Sequence, residues 1–240
     1  MIAVLLAACI ALVLTLVGTP LFIRVLVKRG YGQFVRDDGP ASHATKRGTP
    51  TMGGVVILLS AVVAYLLGHL FTSSSPTPSG LLVLWLAVGL GIVGFLDDYI
   101  KVSKQRSLGL RPAGKLIGQG FVGVSFAVLA LLFPNDYGRT PASAKISFLR
   151  DIDALDLAFW GTAVGMVLFV VWANLIITAA SNAVNLTDGL DGLASGAAAV
   201  VFAGYVIITS WQSIQNCDLM STARAGCYIV RDQRDLATVS

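Results

Sequence analysis

Charged side chains are scarce in this sequence, and their scarcity decides its class. Only 12% of the 240 residues are charged, whereas 55% are hydrophobic, and the mean hydropathy is +0.78. Glutamate is absent, so all 13 acidic residues are aspartates. An ordinary soluble domain carries roughly 25% charged residues. The composition therefore excludes a soluble protein and predicts an integral membrane protein.

Cysteine and histidine are also rare, which argues against a metal centre built from them. The three cysteines have no metal-binding spacing, and Cys9 is expected to pack as an apolar residue of the first span. Cys217 and Cys227 fall in a tail that the topology places outside, where disulfides persist, so a bridge between them is a hypothesis. His69, near the outer end of the second span, is interpreted as incidental.

Long apolar runs predict an all-α, polytopic transmembrane bundle of about six spans, in which residues 1–240 form one domain. Each run approaches or exceeds the length needed to cross a bilayer, roughly 17 to 25 residues. The runs are 2–27, 53–71, 81–96, 116–133, 157–177 and 194–211. No basic stretch precedes the first run, which argues against a cleaved secretion signal. It is interpreted as a retained anchor, kinked near Pro20.

Lysine and arginine counts give the orientation, because positively charged short loops stay in the cytoplasm. Loops 28–52 and 97–115 hold five cations each, whereas loop 72–80 holds none. The first and third loops are therefore predicted to be cytoplasmic and the N-terminus outside. The net charge of +4 lies mostly on these loops, where topology and anionic lipids account for it. Nothing in it suggests a nucleic-acid partner.

The stretch SNAVNLTDGLDGL, residues 181–193, contains two acids and no cation, in the predicted loop between the fifth and sixth spans. Asn182, Asn185, Asp188 and Asp191 recur every third position and would share one half of a helix surface, although the nearby glycines disfavour a long regular helix. Helix caps and Asp-Gly turns are the structural alternative. Two acids with no basic neighbour favour a functional site that receives a cation from elsewhere.

A second acidic pair, Asp97 and Asp98, ends the third predicted span. An Asp97–Lys101 pair at i,i+4 would explain one acid, at about 0.2–0.5 kcal/mol. Adjacent carboxylates need a cation or a raised pKa. A magnesium ion or a shared proton would meet that need.

The segment HATKRGTPTMGG, residues 43–54, leads into the second span and could bind phosphate. His43, Lys46 and Thr51 precede a helix N-terminus, where backbone N–H groups and cations favour anions. Plain helix entry through Pro50 is the alternative. Lys115 could be a further phosphate contact or an interfacial anchor.

These clusters all fall at span ends on one membrane face, which favours phosphoryl transfer, where positioning and charge neutralisation dominate catalysis. A water-soluble donor would arrive from the cytoplasm and an acceptor through the lipid. An ion or proton transporter is the alternative from another class. The acids of a transporter should lie near mid-membrane, whereas the acids of this sequence fall at span ends.

Three motifs carry a family resemblance: GTPTMGG at 48–54, DDYIK at 97–101 and NAVNLTDGLDGLASG at 182–196. With this topology the chain resembles the phospho-N-acetylmuramoyl-pentapeptide transferase (MraY) family of the polyprenyl-phosphate N-acetylhexosamine-1-phosphate transferase superfamily. The resemblance implies a ten-span, Mg2+-dependent enzyme of the bacterial inner membrane with a cytoplasmic active site. It would transfer phospho-MurNAc-pentapeptide from UDP-MurNAc-pentapeptide to undecaprenyl phosphate, giving lipid I and UMP in peptidoglycan synthesis. Membrane lipids are further implied partners, and a homodimer is left open.

The resemblance also implies roles for single residues. Asp97 and Asp98 match the family's aspartate pair and are candidate catalytic and metal-binding residues. Asp188 and Asp191 would be catalytic residues of the active-site loop. The implied substrate-binding residues are Lys46, Thr51, Asn185, Asn182, Lys101, Lys115 and His43. A phosphate monoester has a second pKa of about 6, so a base gains little by deprotonating it, and base and metal-organising roles stay open for Asp97 and Asp98.

Two alternatives and one departure accompany the resemblance. A GlcNAc-1-phosphate transferase of the same superfamily would share the aspartate clusters, and a noncatalytic fragment that assembles with a partner is also open. The family continues to a GDTGS-type magnesium motif and a histidine-rich loop, and neither occurs in these 240 residues. The chain is therefore expected to be truncated at its C-terminus and to have little or no transferase activity alone.

Overall fold

The computed structural model of the protein is dominated by long apolar helices. It describes residues 2–32, 50–106, 108–135, 138–147, 151–187, 192–217, 227–228 and 230–239. The helices and strands in these ranges are α1 (Ile2–Lys28), α2 (Gly54–Thr72), α3 (Pro78–Ser103), α4 (Pro112–Leu132), β1 (Lys145–Ser147), β2 (Asp151–Asp156), α5 (Thr162–Thr187), α6 (Leu193–Ile214) and α7 (Gln233–Val239).

The six predicted spans are confirmed, since α1 to α6 are each long and apolar enough to cross a membrane. At 1.5 Å per residue they measure about 28 to 40 Å, which covers a hydrocarbon core of about 30 Å. In α1 only Ala7 and Leu26 are buried, and α6 has equally few buried residues. The outward faces of these helices suit lipid contact, so the chain is a multi-pass membrane protein.

The ends of α3 differ from the predicted run 81–96. Pro78 begins the helix, and the Thr77 hydroxyl accepts a 3.3 Å hydrogen bond from the Gly80 N–H as an N-cap. Proline suits the first helical position because its missing N–H is not needed there. At the other end the helix continues to Ser103, which places Asp97 and Asp98 on regular helix rather than in a loop.

The predicted bounds of the fifth span, 157–177, were wrong at both ends. Residues 157–160 form a turn after β2, and Gly161 has φ of +108°, so α5 begins at Thr162. The helix then continues through the polar residues up to Thr187, and Gln119 of α4 provides hydrogen-bond partners for Ser181 and Asn182 there. Asn182 and Asn185 therefore lie on a helix and not in the expected loop.

Small residues let α3 and α4 approach closely. A Cβ on Gly89 of α3 would lie 2.7 Å from Val122 Cγ1, and a Cβ on Gly118 of α4 would lie 3.0 Å from Val93 Cγ2. Membrane helices gain no hydrophobic driving force from packing together, so they associate through close contacts of this kind at small residues. α4 also packs against α5, and α1 packs against α2.

Successive helices alternate in direction, so the bundle has two distinct faces. The basic face is where α1, α3 and α5 end, and it is named after the ten cations that the sequence holds in 28–52 and 97–115. The opposite end is named the hairpin face, after the antiparallel pair β1–β2. The hypothesised disulfide is present there, joining Cys217 to Cys227. Cys9 lies on α1 with an exposed side chain.

His69 is not incidental, as the sequence had suggested. Its side chain is buried and its Nε2 lies 2.7 Å from Oδ1 of Asp235. Asp235 belongs to α7, a short helix that the sequence reasoning missed, which packs against the hairpin-face ends of α1, α2, α3 and α6. A buried imidazole needs such partners, because an unpaired polar group in the interior is costly.

Candidate active site at the basic face

One lysine contacts both carboxylates of the aspartate pair. Lys101 Nζ lies 2.7 Å from Asp97 Oδ2 and 2.9 Å from Asp98 Oδ1. The three residues meet because positions three and four apart lie on the same face of a helix. The cation that adjacent acids require is thus built into α3, and the cluster keeps one net negative charge.

The loop before α4 covers Asp97 and makes it the less accessible acid. The backbone N–H of Leu110 donates a 2.8 Å hydrogen bond to Asp97 Oδ1. The Asp97 side chain is 13% exposed, against 35% for Asp98. A Cβ on Gly109 would lie only 2.3 Å from Asp97 Oδ1, so only glycine lets the loop come this close. Gly109 and Leu110 were missed from sequence, although a glycine just before the Pro112 helix start was a signal of a tight loop.

Thr51 joins the segment before α2 to the aspartate pair. Its hydroxyl donates a 3.2 Å hydrogen bond to Asp98 Oδ2. The next residue, Met52, is buried and has φ of +73°, a left-handed conformation that bulky residues rarely adopt. This local strain costs on the order of 1–3 kcal/mol and is tolerated where the surroundings fix it. The strained turn places Thr51 over the end of α3.

Lys115 and the two asparagines lie on α4 and α5. Lys115 is half-buried, and its charge acts on the Asp97 carboxylate. Asn182 Nδ2 donates to Gln119 Oε1 at 3.1 Å and to the Thr178 carbonyl at 2.8 Å, so both amide hydrogens have protein partners. Asn185 is exposed one turn further along α5. The predicted substrate-binding roles of these residues remain predictions.

The structure therefore brings together part of the predicted site. Asp97, Asp98, Lys101 and Thr51 form one connected cluster, and Lys115 lies within electrostatic reach of it. The predicted residues His43, Lys46, Asp188 and Asp191 lie outside the described ranges.

The aspartate pair suits a magnesium ion as a partial ligand set. Mg2+ prefers oxygen ligands and usually takes only one or two protein carboxylates together with water and substrate phosphates. Asp98 is better placed than Asp97, because it is more exposed and, among the described residues, the 3.2 Å bond from Thr51 is the one that holds its Oδ2. Among the described residues no group of three or more His, Cys, Asp or Glu could hold a metal. Other ligands would therefore have to complete the shell.

Comparisons with known proteins match both halves of this cluster. A family model described as Glycosyl transferase family 4 matches residues 80–230, which include the aspartate pair, α4 and α5. A shorter model, described as Phospho-N-acetylmuramoyl-pentapeptide-transferase signature 1, matches residues 46–58. That stretch contains Thr51 and the start of α2.

Curated relatives are similar over the whole chain. A phospho-N-acetylmuramoyl-pentapeptide-transferase of Kineococcus radiotolerans is 63% identical over 239 residues, covering 99% of this chain and 66% of the relative. Proteins of the same name from Beutenbergia cavernae and Micrococcus luteus are each 59% identical, covering all of this chain and 66% and 65% of their own lengths. The chain thus spans slightly less than two thirds of these relatives.

Proposed function

The chain belongs to glycosyl transferase family 4, and we propose that its basic face transfers phospho-MurNAc-pentapeptide from a UDP carrier to undecaprenyl phosphate. The protein would lie in the bacterial inner membrane with the basic face in the cytoplasm. UDP-MurNAc-pentapeptide would reach the site from water and undecaprenyl phosphate from the lipid. The products would be lipid I and UMP.

One observation carries this proposal, namely the contact of Thr51 with Asp98. It joins two segments that are 47 residues apart in sequence and that separately match the two family models. The cluster couples acids and a lysine to a threonine at a helix entry, where phosphate oxygens find donors. Such a combination suits the charge neutralisation that phosphoryl transfer requires.

The proposed reaction is a displacement at phosphorus. An oxygen of the lipid phosphate attacks the sugar-linked phosphorus, and the bond from that phosphorus to the bridging oxygen breaks. UMP leaves with the bonding electron pair, while the new pyrophosphate links the lipid to MurNAc. Because the lipid phosphate is largely dianionic at neutral pH, no carboxylate is needed to remove its proton.

The two aspartates would then have different roles. Asp97 is committed to the Leu110 N–H and to Lys101, which suits a group that organises the site. The more exposed Asp98 would hold Mg2+, with Thr51 orienting its carboxylate. When bound, the ion would offset the negative charge of the pyrophosphate and of the leaving UMP. Lys115 would add a second positive charge beside the reacting phosphates.

The test uses a chimera, in which residues 1–240 are followed by the segment of the Kineococcus radiotolerans relative beyond its matched region. The purified chimera should transfer label from UDP-MurNAc-pentapeptide to undecaprenyl phosphate, and Asp98→Asn should abolish most of that transfer. Asp153→Asn, on the exposed hairpin, is the matched control and should retain it. A folded chimera that transfers no label would overturn the proposal.

A GlcNAc-1-phosphate transferase remains the second candidate within the superfamily, because it would use the same acidic clusters. Competition in the same assay separates the two. Excess unlabelled UDP-GlcNAc should leave transfer from UDP-MurNAc-pentapeptide unchanged. Preferential use of UDP-GlcNAc would reassign the donor. Residues 1–240 assayed alone test the separate expectation that this stretch has little or no activity.

A further inference from the structure

Gln119 is the most completely enclosed polar side chain of the described bundle that the proposed chemistry does not use. It lies on α4 with 1% of its surface exposed. Its Nε2 donates to Ser181 Oγ at 2.9 Å, and its Oε1 accepts from Asn182 Nδ2 at 3.1 Å. Burying a carboxamide costs free energy unless both ends are hydrogen-bonded. Both partners lie on the last turns of α5.

A second bond links the same two helices deeper in the bundle. Asn174 Nδ2 donates to the Gly120 carbonyl at 3.0 Å, while Thr178 Oγ1 donates to Asn174 Oδ1 at 3.2 Å. Gly123 leaves room for this side chain, since a Cβ there would lie 3.0 Å from Asn174 Nδ2. These bonds form a seam that fixes both the spacing and the height of α5 against α4. The seam consists of Gln119, Gly120, Asn174, Thr178, Ser181 and Asn182.

The upper end of this seam faces the end of the bundle that holds the candidate site. A side chain on a helix leans toward the helix N-terminus, so Gln119 reaches from α4 toward the basic face. Lys115 lies one turn nearer that face on the same helix, where its charge acts on Asp97. Asn185 lies one turn beyond Asn182 on α5. Gln119 therefore joins α4 to α5 one turn below Lys115 and at the level of Asn182.

We propose that Gln119 is a positioning residue of the active site, which holds the end of α5, with Asn182 and Asn185, in register with Lys115 on α4. The assignment rests on the proposed function for its kinetic consequence but not for its structural one. Gln119 itself touches no reacting atom. Its effect passes through the two bonds to Ser181 and Asn182.

The structural arm uses residues 1–240 and needs no turnover. Spin labels are placed on cysteines introduced at the exposed positions Ile117 and Leu186, in a Cys9→Ser background. Gln119→Met removes both hydrogen bonds at similar volume and should broaden the distance distribution between the labels. Ser125→Ala is the matched control, because Ser125 lies on the same helix as Gln119 and accepts the hydrogen bond that Trp85 donates from α3. It should leave the distribution unchanged.

The kinetic arm uses the chimera. Gln119→Met should lower kcat on the order of tenfold or more, while KM for the UDP donor stays within about twofold. Ser125→Ala should change neither. If Gln119→Met does not fold, Ser181→Ala carries the test, because it removes only the Nε2 partner and should lower kcat in the same direction.

The outcomes separate the two proposals. Absence of transfer by a folded parent chimera overturns the proposed function, while the label distances still decide what Gln119 does to α5. Unchanged distances overturn the positioning role, and so does a broadened distribution with unchanged kcat. If Gln119→Met and Ser125→Ala lowered kcat equally, Gln119 would contribute only general packing, and its positioning role would be overturned as well.

Discussion

His69 and Asp235 are joined by a 2.7 Å hydrogen bond between Nε2 and Oδ1, across 166 residues of sequence. The other oxygen of Asp235 accepts from the Tyr65 hydroxyl at 2.8 Å, and from the Thr77 N–H and hydroxyl at 2.7 and 2.6 Å. One buried carboxylate therefore ties α7 to the end of α2 and the start of α3. His69 Nδ1, on the other side of the ring, faces the Ser74 hydroxyl at 2.9 Å.

Asp235→Ala is expected to destabilise the chain severely. The substitution leaves the donors of Tyr65, His69 and Thr77 without their acceptor in a buried site, and each buried polar group left unsatisfied costs about 1–3 kcal/mol. Thermal unfolding in detergent measures the loss. Asp153→Ala, on an exposed side chain, is the control and should change stability by less than about 0.5 kcal/mol. Equal midpoints for the two variants would contradict the role given to Asp235.

Acid should lower the folding stability of the hairpin face by protonating the Asp151 carboxylate. Partial burial tends to raise the pKa of this carboxyl, but the hydrogen bonds and positive charge of Arg231, with help from Ser143 and Lys145, outweigh it and lower the pKa below its ordinary value. A depressed folded pKa adds stability above the unfolded value, about 3.9, and that stability is lost as pH falls through the folded pKa.

Asp151→Asn therefore should destabilise the chain at pH 6, yet differ less from the parent at pH 3. Thermal midpoints of both proteins at the two pH values measure this. If the difference in thermal midpoint between the parent and Asp151→Asn grew on acidification, it would have the wrong sign for an ion pair with Arg231.

Replacing the aspartates one at a time should separate their roles in the chimera. Asp98→Asn is expected to raise the Mg2+ concentration needed for half-maximal transfer and to lower the maximal rate on the order of a hundredfold. Asp97→Asn keeps an acceptor for the Leu110 N–H but loses the charge facing Lys101. It should lower the rate without moving the pH optimum. A shifted pH optimum with normal Mg2+ dependence would instead identify Asp97 as the base.

A single methyl group at Gly109 should disturb the site while the helices stay intact. In Gly109→Ala the new Cβ would meet Asp97 Oδ1 and the Asp97 carbonyl oxygen, so residues 108–111 must move. Transfer by the chimera should fall about tenfold or more, with unchanged helical circular dichroism. Gly94→Ala is the matched control on α3, since a Cβ there meets nothing within 4 Å. Comparable losses in both variants would count against the loop contact.

Hydropathy and charge predicted what depends on the membrane itself, namely the six spans and the grouping of Asp97, Asp98 and Thr51 at one face. They failed where distant partners decide the outcome. Past residue 177, Ser181 and Asn182 of α5 find partners on Gln119 of another helix, and His69 gains its importance from Asp235, 166 positions away. The local sequence around a residue does not identify a partner so far away in the chain. The disulfide was foreseen only as a hypothesis, because spacing alone does not show that two cysteines meet.

The 26 residues of α3 connect the two faces as one rod of about 39 Å. Its first turn is anchored through Thr77 to Asp235, and its last turns present Asp97, Asp98 and Lys101. A push on the outer anchor would therefore slide or tilt the carboxylates at the far end. The anchor at the hairpin face thereby sets the height of the aspartate pair at the basic face.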